Sequence, residues 1–376
     1  MRIGIDARFY GGEQSKGLGR YTQKLIEGLA AIDQVNDYVI FLQAEEFRKW
    51  DIKNLRFKPV LAPYRWYSIK EQLFMPALIY RHKVDLMHFP HFNLPLLYYG
   101  RFVVTIHDLV ISHFPTQRAT TLAPWLYTIK QLAYKLVIRQ AAQRAEKIIT
   151  ISQYSKKDII DYFKISSDKI IITYEGAGGE TAASARPEIL SRYQIKPPYL
   201  LYVGNAYPHK NLEVLLKVAQ KLKSEKQLNW QMVFVGKEDY FYTRLKQRAW
   251  LLDVQDKICF TGFIPDRHLT DIYAGALAYI FPSKYEGFGL PPLEAMAHGV
   301  PVLAARASCL PEILESAALY FDPDDVYGII KQLILLNSDP AVREKIINAG
   351  KKQIKKYSWL KMAQETYQIY LQVCQK

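Results

Sequence analysis

Two glutamates flank a glycine turn in the stretch from Gly275 to Ala305. Glu286 precedes the turn Gly287-Phe288-Gly289, and Glu294 follows eight residues after the first glutamate, beyond the pair Pro291-Pro292. Backbone N–H groups at a helix N-terminus attract anions, and glycines allow a phosphate to approach the main chain closely. A carboxylate is repelled by phosphate but accepts hydrogen bonds from sugar hydroxyls. The stretch therefore indicates a site for a phosphate and a sugar.

The elements around this turn follow from composition. Leu277–Phe281 is an apolar run with the length of a buried parallel strand, and Val300–Ala305 has the composition of the next strand. Between them, Leu293–His298 has helical composition, and the prolines before it suit the first turn of a helix. In a simpler interpretation, Glu294 only complements the helix dipole and Glu286 is a solvated loop acid.

The combination resembles the signature of the family 4 retaining glycosyltransferases, in which two glutamates separated by seven residues enclose a Gly-Phe-Gly turn. The resemblance implies the GT-B fold, a nucleotide-sugar donor, no metal and no cofactor. It also implies that the turn and the residue after it hold the donor diphosphate, that Glu294 binds the ribose hydroxyls, and that Glu286 orients the sugar. The matching residues are Glu286, Gly287, Phe288, Gly289, Leu290, Pro292, Glu294, Ala295, Gly299, Pro301 and Val302.

A second glycine-rich segment lies near the start of the chain. The predicted loop Tyr10–Gly19 leads into a predicted helix at Arg20–Ala31. The dinucleotide fingerprint GxGxxG is not met, because Thr22 stands in the place of its third glycine. The run Gly17-Leu18-Gly19-Arg20-Tyr21 is similar to the loop that closes the cleft from the N-terminal domain in the resembling enzymes. On that resemblance, Gly17 and Gly19 are expected donor contacts.

His107 follows a predicted buried strand, Phe102–Ile106, at the strand end where ligand groups of open α/β sheets cluster. A lone histidine is more often structural than functional. In the resembling enzymes a histidine at this strand end contacts the donor sugar, so we expect His107 to orient the sugar. The lead-in His88-Phe89-Pro90 also matches a subgroup often described as mannosyltransferases. That match favours mannose from GDP-mannose, and glucose from UDP-glucose stays open.

A third loop follows the predicted strand Tyr199–Val203. Lys210 suits a pyrophosphate, because its ammonium is a compact charge with three donors, and Asn211 has the residue type of a helix N-cap. The resembling enzymes bind the donor diphosphate here with an arginine and a lysine. Lys210 matches the lysine, but Asn205 or His209 stands in the arginine's place. A histidine with an unperturbed pKa of about 6.5 is mostly neutral at pH 7. The resemblance further implies donor contacts by Gly204, and base contacts by the main chain near Phe263 and Ile264.

Strands and helices alternate along the whole chain, which favours two parallel, doubly wound sheets. With the resemblance, the prediction is an α/β GT-B architecture of two Rossmann-like domains that face each other across a cleft. The acceptor-binding domain is expected at 1–182 with the C-terminal helix 357–376, and the nucleotide-sugar-binding domain at 183–356. Further predicted strands are Arg2–Phe9, Tyr38–Leu42, Lys58–Leu61, Asp85–Phe89, Lys147–Ser152, Ile170–Tyr174, Met232–Val235 and Ile258–Thr261, and further helices are Ser68–His82 and Gln153–Phe163.

Composition excludes several classes of protein. The 376 residues are 49% hydrophobic and 23% charged, as in folded globular proteins and unlike disordered ones. The three cysteines, Cys259, Cys309 and Cys374, have neither disulfide-framework nor zinc-finger spacing. No apolar run approaches the roughly 20 residues that span a bilayer. These features predict a cytoplasmic protein.

The net charge of +14 is spread over both halves of the chain. It suits nucleotide phosphates or anionic lipid, and without a nucleic-acid-binding motif we expect no nucleic-acid partner. The stretch Arg118–Lys147 holds six basic residues against one acid, Glu146, with interleaved aromatic residues. It predicts either a helix on the inner face of an anionic membrane or an ordinary helix with a solvated basic face.

The resulting prediction is a metal-independent, retaining hexosyltransferase that acts on a saccharide or lipid-linked acceptor hydroxyl. Glu286, His107 and Lys210 are the expected catalytic residues, and Lys210 also binds the diphosphate. One alternative is a nucleotide-sugar epimerase of the same fold, which needs no second sugar. Another is a non-catalytic, basic protein that binds a membrane surface or nucleic acid.

Overall fold

The structure is a computed structural model that describes residues 1–11, 17–115, 124–178, 184–225 and 230–375. The chain forms two compact units. The first consists of Met1–Ser112, Leu122–Gly176 and Ser358–Lys376, and the second of His113–Thr121 and Ala177–Tyr357. A short segment from the N-terminal half therefore groups with the second unit.

The first unit contains a seven-stranded sheet in the order β3-β2-β1-β4-β5-β6-β7, in which every neighbouring pair is parallel. Strand β2 shows why the sheet forms, since five of the six side chains of DYVIFL are buried, as expected where both faces are covered. The strands are β1 (Arg2–Asp6), β2 (Asp37–Leu42), β3 (Phe57–Leu61), β4 (Leu86–Phe89), β5 (Phe102–Thr105), β6 (Lys147–Thr150) and β7 (Ile170–Ile172).

The second unit contains a six-stranded sheet in the order β10-β9-β8-β11-β12-β13, which is also parallel throughout. Its core strands are again continuous apolar runs such as AYIF and VLAA. The strands are β8 (Tyr199–Val203), β9 (Gln231–Val235), β10 (Ile258–Gly262), β11 (Ala278–Phe281), β12 (Val302–Ala305) and β13 (Ala318–Phe321).

Helices connect the parallel strands. In chain order they are α1 (Gly17–Ile32), α2 (Ala44–Arg48), α3 (Ile69–Arg81), α4 (Val110–His113), α5 (Pro124–Arg144), α6 (Gln153–Phe163), α7 (Pro187–Arg192), α8 (Leu212–Glu225), α9 (Tyr240–Leu251), α10 (Asp266–Ala274), α11 (Leu290–Ala297), α12 (Leu310–Leu314), α13 (Val326–Ser338), α14 (Pro340–Gln353) and α15 (Trp359–Cys374).

The predicted α/β class with two parallel, doubly wound sheets is confirmed. Two predicted boundaries were wrong at functional segments. Helix α1 begins at Gly17 rather than Arg20, so Gly17 and Gly19 lie in its first turn and not in a loop. Helix α11 begins at Leu290 rather than Leu293, because both prolines fit its first turn, where no N–H is needed. Several strands are also one to three residues shorter than predicted, β1 most of all.

Each sheet has one point at which the strand order reverses. In the first unit it lies between β1 and β4, and in the second between β8 and β11. The connections from these neighbouring strands leave toward opposite faces, so a crevice opens at their carboxyl ends. The loops that follow these strands are therefore the expected ligand-binding positions in each unit.

Helix α15 completes the first unit by packing against α1. Ser358 caps α15 by accepting a hydrogen bond from the Lys361 N–H. The two helices approach each other closely at Gly28, where a Cβ atom would lie only 2.5 Å from the Ala363 Cβ. The helix also supplies the Tyr370 hydroxyl, 2.5 Å from the Nδ1 atom of buried His88 on β4.

Replacing Gly28 with alanine should destabilise the protein by about 1–3 kcal/mol, because overpacking outweighs the gain of up to about 1 kcal/mol in helix propensity. Chemical denaturation of the purified variant measures the change in the free energy of unfolding. Gly17→Ala is the matched control, since no described heavy atom lies within 4 Å of a Cβ there. Equal effects of the two substitutions would contradict the close α1–α15 packing.

Candidate functional site

Lys210 and Glu286 meet where the strand order reverses in the second unit. Lys210 ends a short 3-10 helix, Pro208–Lys210, after β8, and Glu286 lies five residues after β11. The Lys210 Nζ atom is 2.5 Å from Glu286 Oε1, and the two side chains are only 14% and 12% exposed. The ammonium also lies 5.5 Å from the centre of the Phe281 ring. Glu286 is thus a nearly buried, paired carboxylate and not a solvated loop acid.

The two loops that carry this ion pair hold each other in place. The His209 carbonyl oxygen accepts hydrogen bonds from the Lys284 N–H at 2.8 Å and from the Ser283 hydroxyl at 3.2 Å. The Glu286 N–H donates to the Ser308 hydroxyl at 3.0 Å. These bonds connect the loops to one another and fix the relative positions of Lys210 and Glu286.

Asn211 serves this arrangement in a way the sequence did not predict. It directly precedes α8, but its φ of +57° places it in the left-handed region, unlike a typical N-cap. Its side-chain amide donates to the Pro323 carbonyl at 2.6 Å and to the Pro282 carbonyl at 3.3 Å. The prediction of an N-cap was wrong, and the residue instead links three loops.

The glycine turn leads directly into the N-terminus of α11. Gly289 has a φ of +97°, which a residue with a side chain adopts only with strain. The Phe288 side chain is buried against the edge of Tyr357, with 5.3 Å between the ring centres. The turn Gly287–Gly289 and Leu290 therefore present main-chain groups at the carboxyl edge of the sheet, where an anion is attracted to the helix N-terminus.

Glu294 lies in the second turn of α11. The first turn contains no acidic residue, and the attraction of a carboxylate to the helix dipole is lost beyond that turn. The interpretation of Glu294 as a dipole-complementing residue therefore does not hold. Its Oε2 atom accepts a hydrogen bond from the hydroxyl of buried Tyr273 at 3.3 Å, which fixes one oxygen of a half-buried carboxylate.

His209 is the residue that stands in place of an arginine, and the structure shows why it differs from one. The residue is 8% exposed and its ring packs between Tyr207 and Phe114. Burial and the neighbouring Lys210 ammonium lower the pKa of His209 to about 4. The imidazole is consequently neutral at pH 7, so Lys210 carries the positive charge of this loop.

The remaining predicted donor residues of this unit surround the same sheet edge. Gly204 and Asn205 follow β8, and their carbonyl oxygens accept hydrogen bonds from the Tyr242 and Tyr202 hydroxyls, both at 2.7 Å. Phe263 and Ile264 follow β10, two strands away; Phe263 is 55% exposed, whereas Ile264 is buried. The exposed Phe263 ring is free to contact a flat ligand group.

In the first unit, His107 lies after β5 with its imidazole held on three sides. The Nε2 atom is 3.0 Å from the Pro90 carbonyl oxygen, and the ring is perpendicular to that of Tyr21 at 4.6 Å. The Nδ1 atom is 3.3 Å from Oε1 of Glu175, a buried residue after β7. Glu175 is not among the residues predicted from the sequence, although its position directly after a predicted strand was an available signal. Tyr21 lies on α1, the helix whose first turn contains Gly17 and Gly19.

Two protein-family models match the two halves of the chain. The model described as Glycosyltransferase Family 4 matches residues 15–177, and the model described as Glycosyl transferases group 1 matches residues 186–353. The chain belongs to the family 4 glycosyltransferases. Its glycosyltransferase activity follows from this membership.

Two curated relatives and two solved structures agree with this assignment. O-antigen chain mannosyltransferase B of Escherichia coli is 29% identical over 94% of this chain and 95% of the relative. O-antigen chain mannosyltransferase RfbU of Salmonella typhimurium is 26% identical over 84% and 85%. Sucrose-phosphate synthase of Thermosynechococcus elongatus covers 99% of both chains with a TM-score of 0.74 at 18% identity. Anabaena HepE in complex with UDP-glucose covers 99% of both with a TM-score of 0.72 at 16% identity. The structural likeness confirms the GT-B fold.

Within this glycosyltransferase, the predicted residues form one group in each unit. Those of the second unit line the carboxyl edge around β8 and β11, and those of the first unit lie near Tyr21 and β5. Their roles in binding stay predictions. Of the basic stretch Arg118–Lys147, residues 118–123 lie outside the described residues. In the described part of the chain, no helix has the length and apolar character needed to cross a membrane.

The Lys210–Glu286 ion pair should stabilise the folded protein, and the effects of removing its two partners should not be additive. Removing either partner leaves a nearly buried charge unpaired, so a double-mutant cycle of Lys210→Met and Glu286→Gln should give a coupling of about 1–3 kcal/mol in the free energy of unfolding. The exposed Lys49–Glu45 pair, at 2.6 Å, is the matched control and should show no measurable coupling. Additive effects at Lys210 and Glu286 would show that the pair does not form in solution.

Proposed function

We propose that this glycosyltransferase transfers a mannosyl group from GDP-mannose to a saccharide or lipid-linked acceptor hydroxyl, with retention of anomeric configuration and without a metal. UDP-glucose is the second donor to test. The observation that carries the proposal is the Lys210–Glu286 pair at the strand reversal, beside the glycine turn and the N-terminus of α11. The choice of mannose is supported by the names of the two O-antigen mannosyltransferases.

Different residues of the second unit bind the diphosphate, the sugar and the ribose of the donor. Lys210 and the main chain of Gly287–Leu290 hold the diphosphate, which brings two negative charges to a helix N-terminus. The phosphate attracts the Lys210 ammonium and leaves Glu286 to accept hydrogen bonds from sugar hydroxyls. Glu294, with one oxygen fixed by Tyr273, accepts the ribose hydroxyls. Neutral His209 assists by hydrogen bonding and shape rather than by charge.

The remaining donor contacts follow from position. Gly204 and Asn205 border the diphosphate loop, and Phe263 with Ile264 contact the base. In the first unit, Gly17 and Gly19 approach the donor through their main chain, and His107 orients the transferred sugar.

The proposed reaction breaks the bond between the anomeric carbon and the diphosphate oxygen. The electron pair leaves with the diphosphate, whose new charge Lys210 and the helix N-terminus stabilise. The acceptor oxygen bonds to the anomeric carbon on the face that the leaving group vacates, which retains the configuration. The acceptor proton passes to the departing phosphate oxygen, so Glu286 and His107 orient the sugar and neither needs to become covalently attached.

A nucleotide screen tests the donor site. A donor at about 100 times its Kd should stabilise the protein by roughly 2.7 kcal/mol, visible as a rise in Tm without added metal. We expect GDP-mannose and GDP to raise the Tm of the wild type, and Lys210→Ala to lose the effect. A rise with UDP-glucose alone would change the sugar and base assigned. No rise with any nucleotide would contradict the proposed donor site.

Helix α5 provides a surface through which the enzyme reaches a lipid-linked acceptor. Three large apolar side chains on one face, Ile129, Leu132 and Leu136, are 55%, 62% and 51% exposed. Exposed Lys130, Lys135 and Arg139 accompany them, and the sequence of α5 contains no acidic residue. Apolar side chains in a purely cationic setting complement an anionic bilayer, which takes up both features at once.

Vesicle sedimentation tests this surface. Wild-type protein should bind vesicles that contain phosphatidylglycerol and bind phosphatidylcholine vesicles weakly. Leu132→Glu with Leu136→Glu should reduce partitioning about tenfold or more, because it exchanges buried apolar area for charge repulsion. Leu55→Glu, at a residue 91% exposed elsewhere in the first unit, is the control and should bind normally. Equal binding by all three proteins, or self-association through α5 in light scattering, would overturn the membrane assignment.

A further inference from the structure

Glu175 is a nearly buried carboxylate at the carboxyl edge of the first sheet. It follows β7 by three residues and is 5% exposed. Among the described residues, His107 Nδ1 is the one basic side-chain nitrogen found within 4.0 Å of its carboxylate oxygens, at 3.3 Å. A buried carboxylate is costly unless a cationic or hydrogen-bonding group accompanies it. The pairing with His107 is therefore the feature that accounts for its position.

The other ring nitrogen of His107 determines how the pair works. The Pro90 carbonyl can only accept a hydrogen bond, so the Nε2 atom, 3.0 Å away, carries a hydrogen. The Nδ1 atom lies 3.3 Å from a carboxylate oxygen of Glu175. Glu175 and Pro90 thus approach opposite nitrogens of the ring, and Tyr21 contacts its edge. These contacts leave the imidazole a single orientation.

We propose that Glu175 is the positioning residue of His107 and fixes the orientation of its imidazole. This inference rests on the proposed function, in which His107 orients the transferred sugar. Contacts at both ring nitrogens hold the imidazole in one orientation, so the sugar meets a polar group of fixed position.

A purely structural role predicts something different. If Glu175 only tied the end of β7 to the end of β5, its loss would lower the stability of the unit and weaken all ligand binding in proportion. A positioning role affects the sugar-dependent part of the reaction and leaves the nucleoside diphosphate contacts of the second unit unchanged. The two roles are therefore separated by comparing GDP with GDP-mannose.

The test uses Glu175→Gln, His107→Ala and the double variant, with Glu146→Gln as the matched control. Glu146 is a half-exposed glutamate of the first unit, 3.4 Å from Arg101. Calorimetry with GDP and steady-state kinetics with GDP-mannose, or UDP-glucose if the nucleotide screen selects it, are measured on each protein. Glu175→Gln should retain GDP affinity and lose on the order of tenfold in kcat/KM, as when a functional histidine loses an orienting partner. The double variant should match His107→Ala, because Glu175 acts through His107.

Three outcomes would overturn the inference: unchanged kinetics in Glu175→Gln, a double variant in which the two losses multiply, or a fall in GDP affinity that parallels the fall in Tm. Side-chain ¹⁵N spectra of His107 add a readout that needs no donor. The Nδ1 resonance should shift in Glu175→Gln and stay unchanged in Glu146→Gln, and an Nδ1 resonance that is the same in the wild type and Glu175→Gln would refute the pairing. Wild type that binds no nucleotide-sugar would instead contradict the proposed function while the ¹⁵N result still decides the pairing.

Discussion

A fully buried parallel sheet cannot carry polar ligand groups on its faces, and this constraint organises both units. Most strand residues are apolar, so most of the polar side chains at the candidate sites lie in the loops at the carboxyl edge. Where the strand order reverses, the loops after two neighbouring strands turn toward opposite faces of the sheet. Their side chains meet at the crevice between the carboxyl ends of these strands. Lys210 and Glu286 are in contact because β8 and β11 are neighbours in space, although 76 residues separate them in the chain.

At the candidate site of the second unit, the charges of Lys210 and Glu286 compensate each other. The Glu286 carboxylate compensates the charge of the Lys210 ammonium. His209 is uncharged because burial and the same lysine lower its pKa. An arginine in place of His209 would remain charged in this setting, because its pKa lies far above 7. The free site therefore has little net charge of its own. In the proposed function, the attraction for a diphosphate comes from the helix N-terminus and from an exchange in which phosphate replaces the Glu286 carboxylate as the partner of Lys210.

The sequence was sufficient to predict what depends on local patterns. The apolar runs of β8 and β11 are surrounded by turn residues, and the Glu286–Glu294 spacing is a property of a single segment. Contacts between distant segments could not be predicted in the same way. Glu175 directly follows the predicted strand Ile170–Tyr174, but its significance appears only when β7 is placed two strands from β5. Asn211 was mispredicted for the same reason. Its residue type predicts a helix cap, whereas its side-chain amide donates hydrogen bonds to two carbonyl groups that are distant in the sequence.

The return of α15 to the first unit has a consequence for how the protein is made. Residues Trp359, Ala363 and Tyr370 cover Gly176, Gly28 and His88, so the first unit lacks part of its interior until they have been synthesised. At ribosomal rates of about 5–20 residues per second, the interval between residue 176 and residue 358 is roughly 10 to 40 s. During that time the second unit can fold independently, while the face of α1 that α15 will cover stays open to chaperones or to incorrect partners. The N-terminal unit, although translated first, is therefore the one whose folding finishes last.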